Sequence, residues 1–231
     1  MIDFSIRSYK KELLDSNHIP FAAIKQIMKE LEVINSYLGG HAITLTGFKR
    51  LLSTRRSVSV CEIGCGGGDN LKAIYNWAAK NNIDVKCTGI DINPDCITYA
   101  RTNCIGMDIH FIVSDYKYVM FEEKPDIIFS SLFCHHFTDD ELVSMLHWIK
   151  GNSELGSFIN DLHRHRIAYH LIKAITRLFS RSHLVKNDAP LSVLRGFTKS
   201  EWKTILEKAG IRNYSIKWKW AFRHLIVSSN E

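Results

Sequence analysis

The sequence has little proline, no long apolar run and no paired-cysteine motif. Four prolines in 231 residues, with no low-complexity tract, argue against a disordered or linker-rich chain. No apolar stretch reaches the roughly 20 residues that cross a bilayer. The start, Met1-Ile2-Asp3-Phe4, lacks the basic-then-apolar pattern of a secretory leader. Six cysteines, at 61, 65, 87, 96, 104 and 134, never fall as Cys-x-x-Cys. They read as reduced core thiols of a cytoplasmic protein, not as a disulfide framework or a zinc site, and no metal is expected. Acid is missing locally. Residues 163–186 contain Arg164, Arg166, Lys173, Arg177, Arg181 and Lys186 but no Asp or Glu. The formal net charge of +6 resides in that segment, and the rest of the chain is balanced. A local excess of this kind points to a local partner: an anionic or carrier-linked substrate, an anionic membrane surface, or nucleic acid.

What is present is an ordinary globular composition, 45% hydrophobic and 23% charged, in a chain long enough for one domain with a sizeable core. Its most informative stretch is Val60-Cys61-Glu62-Ile63-Gly64-Cys65-Gly66-Gly67-Gly68-Asp69. An apolar strand ends in an acid, glycines follow at alternate positions, and a helical pattern begins at Asp69. Glycine lets a backbone turn tightly and approach a ligand closely. A dinucleotide fingerprint starting at Gly64 requires glycine where Asp69 stands, which disfavours a nicotinamide-dependent oxidoreductase. The pattern Glu-x-Gly-x-Gly-x-Gly instead resembles motif I of the class I S-adenosylmethionine (AdoMet) methyltransferases.

Strand and helix signals alternate after that loop. Strands are expected at 57–62, 85–91, 109–113, 126–132 and ending at 158–161. Helices are expected at 69–80, from the Asn93-Pro94 cap to near Gly106, and from the capping box Thr138-Asp139-Asp140-Glu141. A second capping box, Thr198-Lys199-Ser200-Glu201, opens a helix that Gly210 ends. Alternation at Tyr214, Ile216 and Trp218, then a strand-like stretch at 221–228 close behind it, predicts a closing antiparallel strand pair. This is an α/β pattern: a doubly wound, mostly parallel seven-stranded sheet with an antiparallel last strand, Rossmann-like. Helical patterns at 20–38 and 42–53 precede it. Residues 1–53 are therefore expected to form a helical extension or cap, and 54–231 the AdoMet-binding domain.

The resemblance assigns residues to the cofactor. It places Gly64, Cys65, Gly66 and Gly68 under the methionine and ribose, with Glu62 near the amino group. Asp91 accepts from the ribose hydroxyls and Ile92 packs on the adenine. The Ser114-Asp115-Tyr116 turn takes the adenine amino group through Asp115, and Ser130 and Ser131 offer main-chain carbonyls to the methionine ammonium. Each segment has a plainer reading alone, as a turn, a helix cap or a surface charge, but all four stand at the carboxyl ends of successive strands, where open α/β sheets bind ligands. The resemblance carries motif support over residues 56–161.

Two segments leave the same edge toward the acceptor, Phe133-Cys134-His135-His136-Phe137 and Asn160-Asp161-Leu162-His163-Arg164. A histidine titrates near working pH and can take a proton from a phenolic or enolic hydroxyl. His136 and His163 rank first as general bases, then His135; packing or capping is the plainer role for each. The chain is similar to the ubiquinone/menaquinone-biosynthesis type and to bacterial small-molecule O-methyltransferases. Asn160–Arg164 and Leu191-Ser192-Val193-Leu194-Arg195-Gly196-Phe197 also resemble a bacterial group of stand-alone methyltransferases. The expectation is methyl transfer to a small aromatic, phenolic or polyketide-like acceptor, on oxygen before carbon. The rivals are an RNA methyltransferase that uses the basic segment, and a non-catalytic AdoMet-binding module. Ser131-Leu132-Phe133-Cys134 stands where nucleic-acid adenine methylases carry Asn/Asp-Pro-Pro-Tyr/Phe, so nucleic acid is disfavoured.

Overall fold

The computed structural model describes residues 2–15 and 19–230. Seven strands, β1 (Ser57–Ile63), β2 (Asp84–Asp91), β3 (Ile109–Val113), β4 (Ile127–Ser131), β5 (Gly156–Leu162), β6 (Tyr214–Lys219) and β7 (Arg223–Ser229), form one sheet. Their order is β3-β2-β1-β4-β5-β7-β6. Strands β1 to β5 pair in parallel, and β7 runs antiparallel to both β5 and β6. The chain thus has the class I methyltransferase fold, with the order reversing between β1 and β4. Strand β4 is buried at every position, as a strand covered on both faces requires.

Eight helices complete the described residues: α1 (Phe21–Tyr37), α2 (Gly40–Leu52), α3 (Asp69–Lys80), α4 (Pro94–Asn103), α5 (Asp139–Asn152), α6 (Arg166–Phe179), α7 (His183–Arg195) and α8 (Lys199–Lys208). Alternating strand residues divide the core between two faces. Val58, Val60, Phe129 and Phe158 pack with α2, α3 and α4. Cys61, Ile63, Ile128 and Ile159 pack with α5 and α8. The expected caps are in place: the Asn93 side chain accepts from the Asp95 and Cys96 N–H groups, and both capping boxes close.

The N-terminal stretch does two different things. Helix α2 is a layer helix of the domain: Phe48 is fully buried, and Gly47 lies so close to Phe158 that a Cβ there would sit 2.6 Å from its ring. Helix α1 and the segment 2–15 instead lie over the carboxyl edge of the sheet. The basic segment also divides, into α6 and α7, which pack on each other. Pro190 is accommodated inside α7.

Candidate active site

A cavity of about 950 Å³ opens at the carboxyl edge of the sheet. This lies near the top of the range for small-molecule sites. Its floor is the glycine loop after β1. Gly64, Gly66 and Gly68 hold φ values of +69°, +48° and +75°, a left-handed backbone that residues with a Cβ adopt at a cost. At Gly64 a Cβ would also sit 2.2 Å from the Phe133 ring. Helix α3 starts directly after the loop, so its N-terminal dipole faces the same space.

Asp91 closes one side of the floor. Its carboxylate accepts from the Gly66 and Asn93 N–H groups, each at 2.9 Å. Burial raises its pKa, and those two bonds oppose the rise. A carboxylate has about four acceptor positions, so capacity for two hydroxyls remains. Glu62 is buried under the loop. One oxygen accepts from Asn70 at 3.0 Å, and Oε2 has no partner. Burial, then repulsion from Asp69, pushes its pKa well up.

The turn after β4 brings in the histidines. Leu132 takes a positive φ of 54°, and residues 134–136 form a single helical turn. His135 is buried, and its Nδ1 lies 2.8 Å from Oδ1 of the fully buried Asp161. The Asp161 side chain also accepts from the His135 and Leu162 N–H groups. Burial alone would raise the Asp161 pKa, but the charge and hydrogen bond of His135 outweigh it and hold the carboxyl low. The turn is clamped from behind. Arg7 donates to the carbonyls of His135 and Phe137, and Arg195 donates to those of His135 and His136. Glu12, buried at 6% exposure, reaches over both rings and accepts from Ser192 Oγ at 2.7 Å.

Gly64, Cys65, Gly66, Asp91, Ile92, Ser131, His135 and His136 all line the cavity. Of the other expected residues, Glu62 and Gly68 are buried and do not line it, and the rest stand elsewhere. His163 is not brought to the cavity: Leu162 lines it, and alternation along the chain turns His163 away, to within 4.7 Å of the His224 ring. Burial, then His165 and Arg164, lowers the His163 pKa. Ser130 points into the core and lies 3.3 Å from Cys134 Sγ. Ser114, Asp115 and Tyr116 do not line the cavity. Asp115 caps its own turn by accepting from the Lys117 N–H, Ser114 donates to the Asp115 carbonyl, and Tyr116 packs edge-on against Trp148.

The roof comes from the helical pattern expected at 20–38 and from the first helix of the basic segment. Ile24, Met28 and Leu31 of α1 and Leu171 and Ile175 of α6 form apolar walls. Asn35 and His41 tie α1 and α2 to Asp69 at 3.0 and 2.7 Å. Only the amphipathic spacing of α1 and α6 carried a signal for these. Asn160–Arg164 and Leu191–Phe197, distant in sequence, lie side by side: Phe197 N–H donates to the Leu162 carbonyl at 2.9 Å, and Arg164 N–H to the Phe197 carbonyl at 3.1 Å. A second cavity of about 390 Å³ lies by Gly210 and Ser229, at the far end of β7.

Residues 60–151 match the family model described as "Methyltransferase domain". No curated protein is similar to the chain in sequence. Solved structures share its fold. Human N-acetylserotonin methyltransferase in complex with SAM is 18% identical with a TM-score of 0.65, over 92% of this chain and 57% of that one. A putative O-methyltransferase from Nostoc punctiforme PCC 73102 is 15% identical with a TM-score of 0.62, over 89% of this chain and 60% of that one. This chain thus spans about three-fifths of the length of those two. The plantazolicin methyltransferase BpumL, bound to a desmethylplantazolicin analogue and SAH, is 19% identical with a TM-score of 0.63, over 90% of this chain and 99% of that one.

Proposed function

We propose, from the match of residues 60–151 to a methyltransferase-domain model and from the class I fold, that this protein methylates an oxygen of a small aromatic, phenolic or polyketide-like acceptor with an apolar body. The observation that carries this reading is the cavity itself. One space of about 950 Å³ holds the glycine loop and Asp91 on its floor, His136 on its side and apolar helix faces for its roof. It has room for cofactor and acceptor together.

When bound, AdoMet supplies a methyl group on a sulfonium, which leaves with no electrons while the C–S pair stays on sulfur. The protein's task is alignment and proton removal. Gly64 to Gly68 let the backbone approach the cofactor, and Asp91 offers its free lone pairs to ribose hydroxyls. Glu62, buried beneath the loop and outside the cavity lining, holds Asn70 and so supports the loop from below. Leu171, Ile175 and Met28 exclude water and grip an apolar acceptor. His136, the more exposed of the two cavity histidines, takes the acceptor proton. The neighbours named above include human N-acetylserotonin methyltransferase and the plantazolicin methyltransferase shown with a monoazolic analogue. These support an acceptor with a flat apolar body.

The test is calorimetric titration with AdoMet and SAH, with NADH as control, followed by methyl transfer from labelled AdoMet to phenols, hydroxyquinones and RNA. Binding of both sulfur ligands and labelling of a phenol support the reading. Labelling of RNA alone would overturn the small-molecule acceptor.

A further inference from the structure

Glu12, His135 and His136 bring one carboxylate and two imidazoles to a single point of the cavity wall, with candidate ligand atoms all within 4.8 Å of one another. Glu12 Oε1 lies 3.7 Å from His135 Nε2, and Oε2 lies 4.0 Å from His136 Nε2. Both separations exceed hydrogen-bond reach. They are close to, and slightly wider than, the roughly 3.0–3.5 Å that separates neighbouring ligand atoms around an ion with bonds near 2.1 Å.

A second, independent observation sets the tautomer. Asp161 is fully buried, and its Oδ1 lies 2.8 Å from His135 Nδ1. That contact places a ring proton on Nδ1 and turns Nε2 toward Glu12, where an ion would take the place of the proton that a charged His135 carries. The result is a ring nitrogen facing a buried carboxylate at 3.7 Å, beyond hydrogen-bond reach. A carboxylate behind a histidine, with the far nitrogen turned into a cavity, is the arrangement that orients metal-binding histidines. Arg7 and Arg195 fix the carbonyls of the same turn, so the rings are held from behind as well.

We infer that Glu12, His135 and His136 form a binding site for a divalent first-row transition ion, with Asp161 as the positioning residue behind His135. Two imidazoles and one carboxylate on one side of an ion leave its other positions open. Here those positions face the cavity that holds the glycine loop. A ligand that fills them has two neighbouring donor atoms, as in a catechol, an enediol or a 2-oxo acid. Ion binding is read out apart from methyl transfer; the chelating acceptor rests on the proposed function, and with an ion bound His136 Nε2 is a ligand and the ion, not His136, eases loss of the acceptor proton. Spacing along the chain hides the site, because Glu12 lies more than 120 residues before the histidine pair.

The test uses the full chain, stripped with a chelator and titrated with Zn²⁺ against a chromophoric competitor. Glu12→Gln, Asp161→Asn and His110→Gln are compared with it. The expected result is one ion per chain, at least tenfold weaker binding in Glu12→Gln, 10- to 100-fold weaker binding in Asp161→Asn, and no change in His110→Gln. Co²⁺ loading should give a visible absorption band in the wild type that Glu12→Gln loses. No stoichiometric Zn²⁺ binding, or equal affinity in Glu12→Gln and wild type, overturns the site. AdoMet titration of the same samples checks folding and separates the two readings. A protein that binds AdoMet but no Zn²⁺ refutes the ion alone, and one that binds Zn²⁺ but no AdoMet refutes the cofactor alone.

Discussion

Asp91 shows how one side chain can serve fold and ligand together. Its two oxygens hold the Gly66 and Asn93 amides, so the carboxylate fixes the loop on which the cofactor is proposed to lie. Asp91→Ala is expected to lower AdoMet affinity by about 1.5–3 kcal/mol, the scale of hydrogen bonds to a charged group. Calorimetry that finds the affinity unchanged would remove Asp91 from the cofactor site. A second residue-level expectation concerns pH. Burial, then the neighbouring His163, lowers the His224 pKa to about 4, whereas a free histidine titrates near 6.5. The unfolded chain therefore takes up a proton that the folded chain refuses. Stability from this ring is complete above pH 6.5, falls as the pH drops toward 4, and levels off below. Lys199 and Asp161 also face the ring, with opposite effects. The full loss is on the order of 3 kcal/mol. Urea midpoints at pH 7 and pH 4.5 measure it, and a His224→Gln variant with the same slope would exclude this ring as the cause.

At the scale of elements, local chemistry was legible and distant pairing was not. Capping boxes at Thr138 and Thr198, the Asn93-Pro94 start and the glycine loop are each complete within a few residues, and each appears where the sequence places it. The break between α6 and α7 and the strap at 2–15 depend on partners far along the chain. No periodicity reports that Arg7 meets Arg195 or that Glu12 meets His135. His163 was misplaced by one step of alternation. Helix α2 is the clearest case. Its apolar spacing fits a cap as well as a core helix, and only the close approach of Gly47 to Phe158 and the full burial of Phe48 distinguish them. Phe48→Ala should cost about 3–5 kcal/mol in denaturant unfolding. A cost below ~1 kcal/mol would mean that α2 is peripheral to the core.

Over the whole molecule, the cavity floor and roof differ in kind. The floor rests on β1, β4 and β5, whose inner residues are buried between two helical layers. The roof is α1 and α6, helices with exposed apolar residues at their ends, Phe21 in α1 and Leu178 and Phe179 in α6. Elements with little buried surface open at low free energy. Hydrogen exchange should therefore slow in α1 and α6 when AdoMet and acceptor bind, while β1 and β4 stay unchanged. Equal slowing throughout would argue for global stabilisation and against a mobile roof. The basic residues of 163–186 ride on the same helices that form the wall. No described helix is long and apolar enough to cross a membrane.

The strap has one further consequence, in the order of synthesis. Glu12 meets Ser192 across 180 positions, and Arg7 meets Arg195 across 188. During translation the glycine loop and all five parallel strands are complete while the strap still lacks its anchors on α7. Closing so long a loop is entropically slow. The nascent chain therefore passes through a stage in which a nucleoside can already dock on the floor while the cavity stands open to water. The wall that the strap and α7 form together is complete only once α7 has been made.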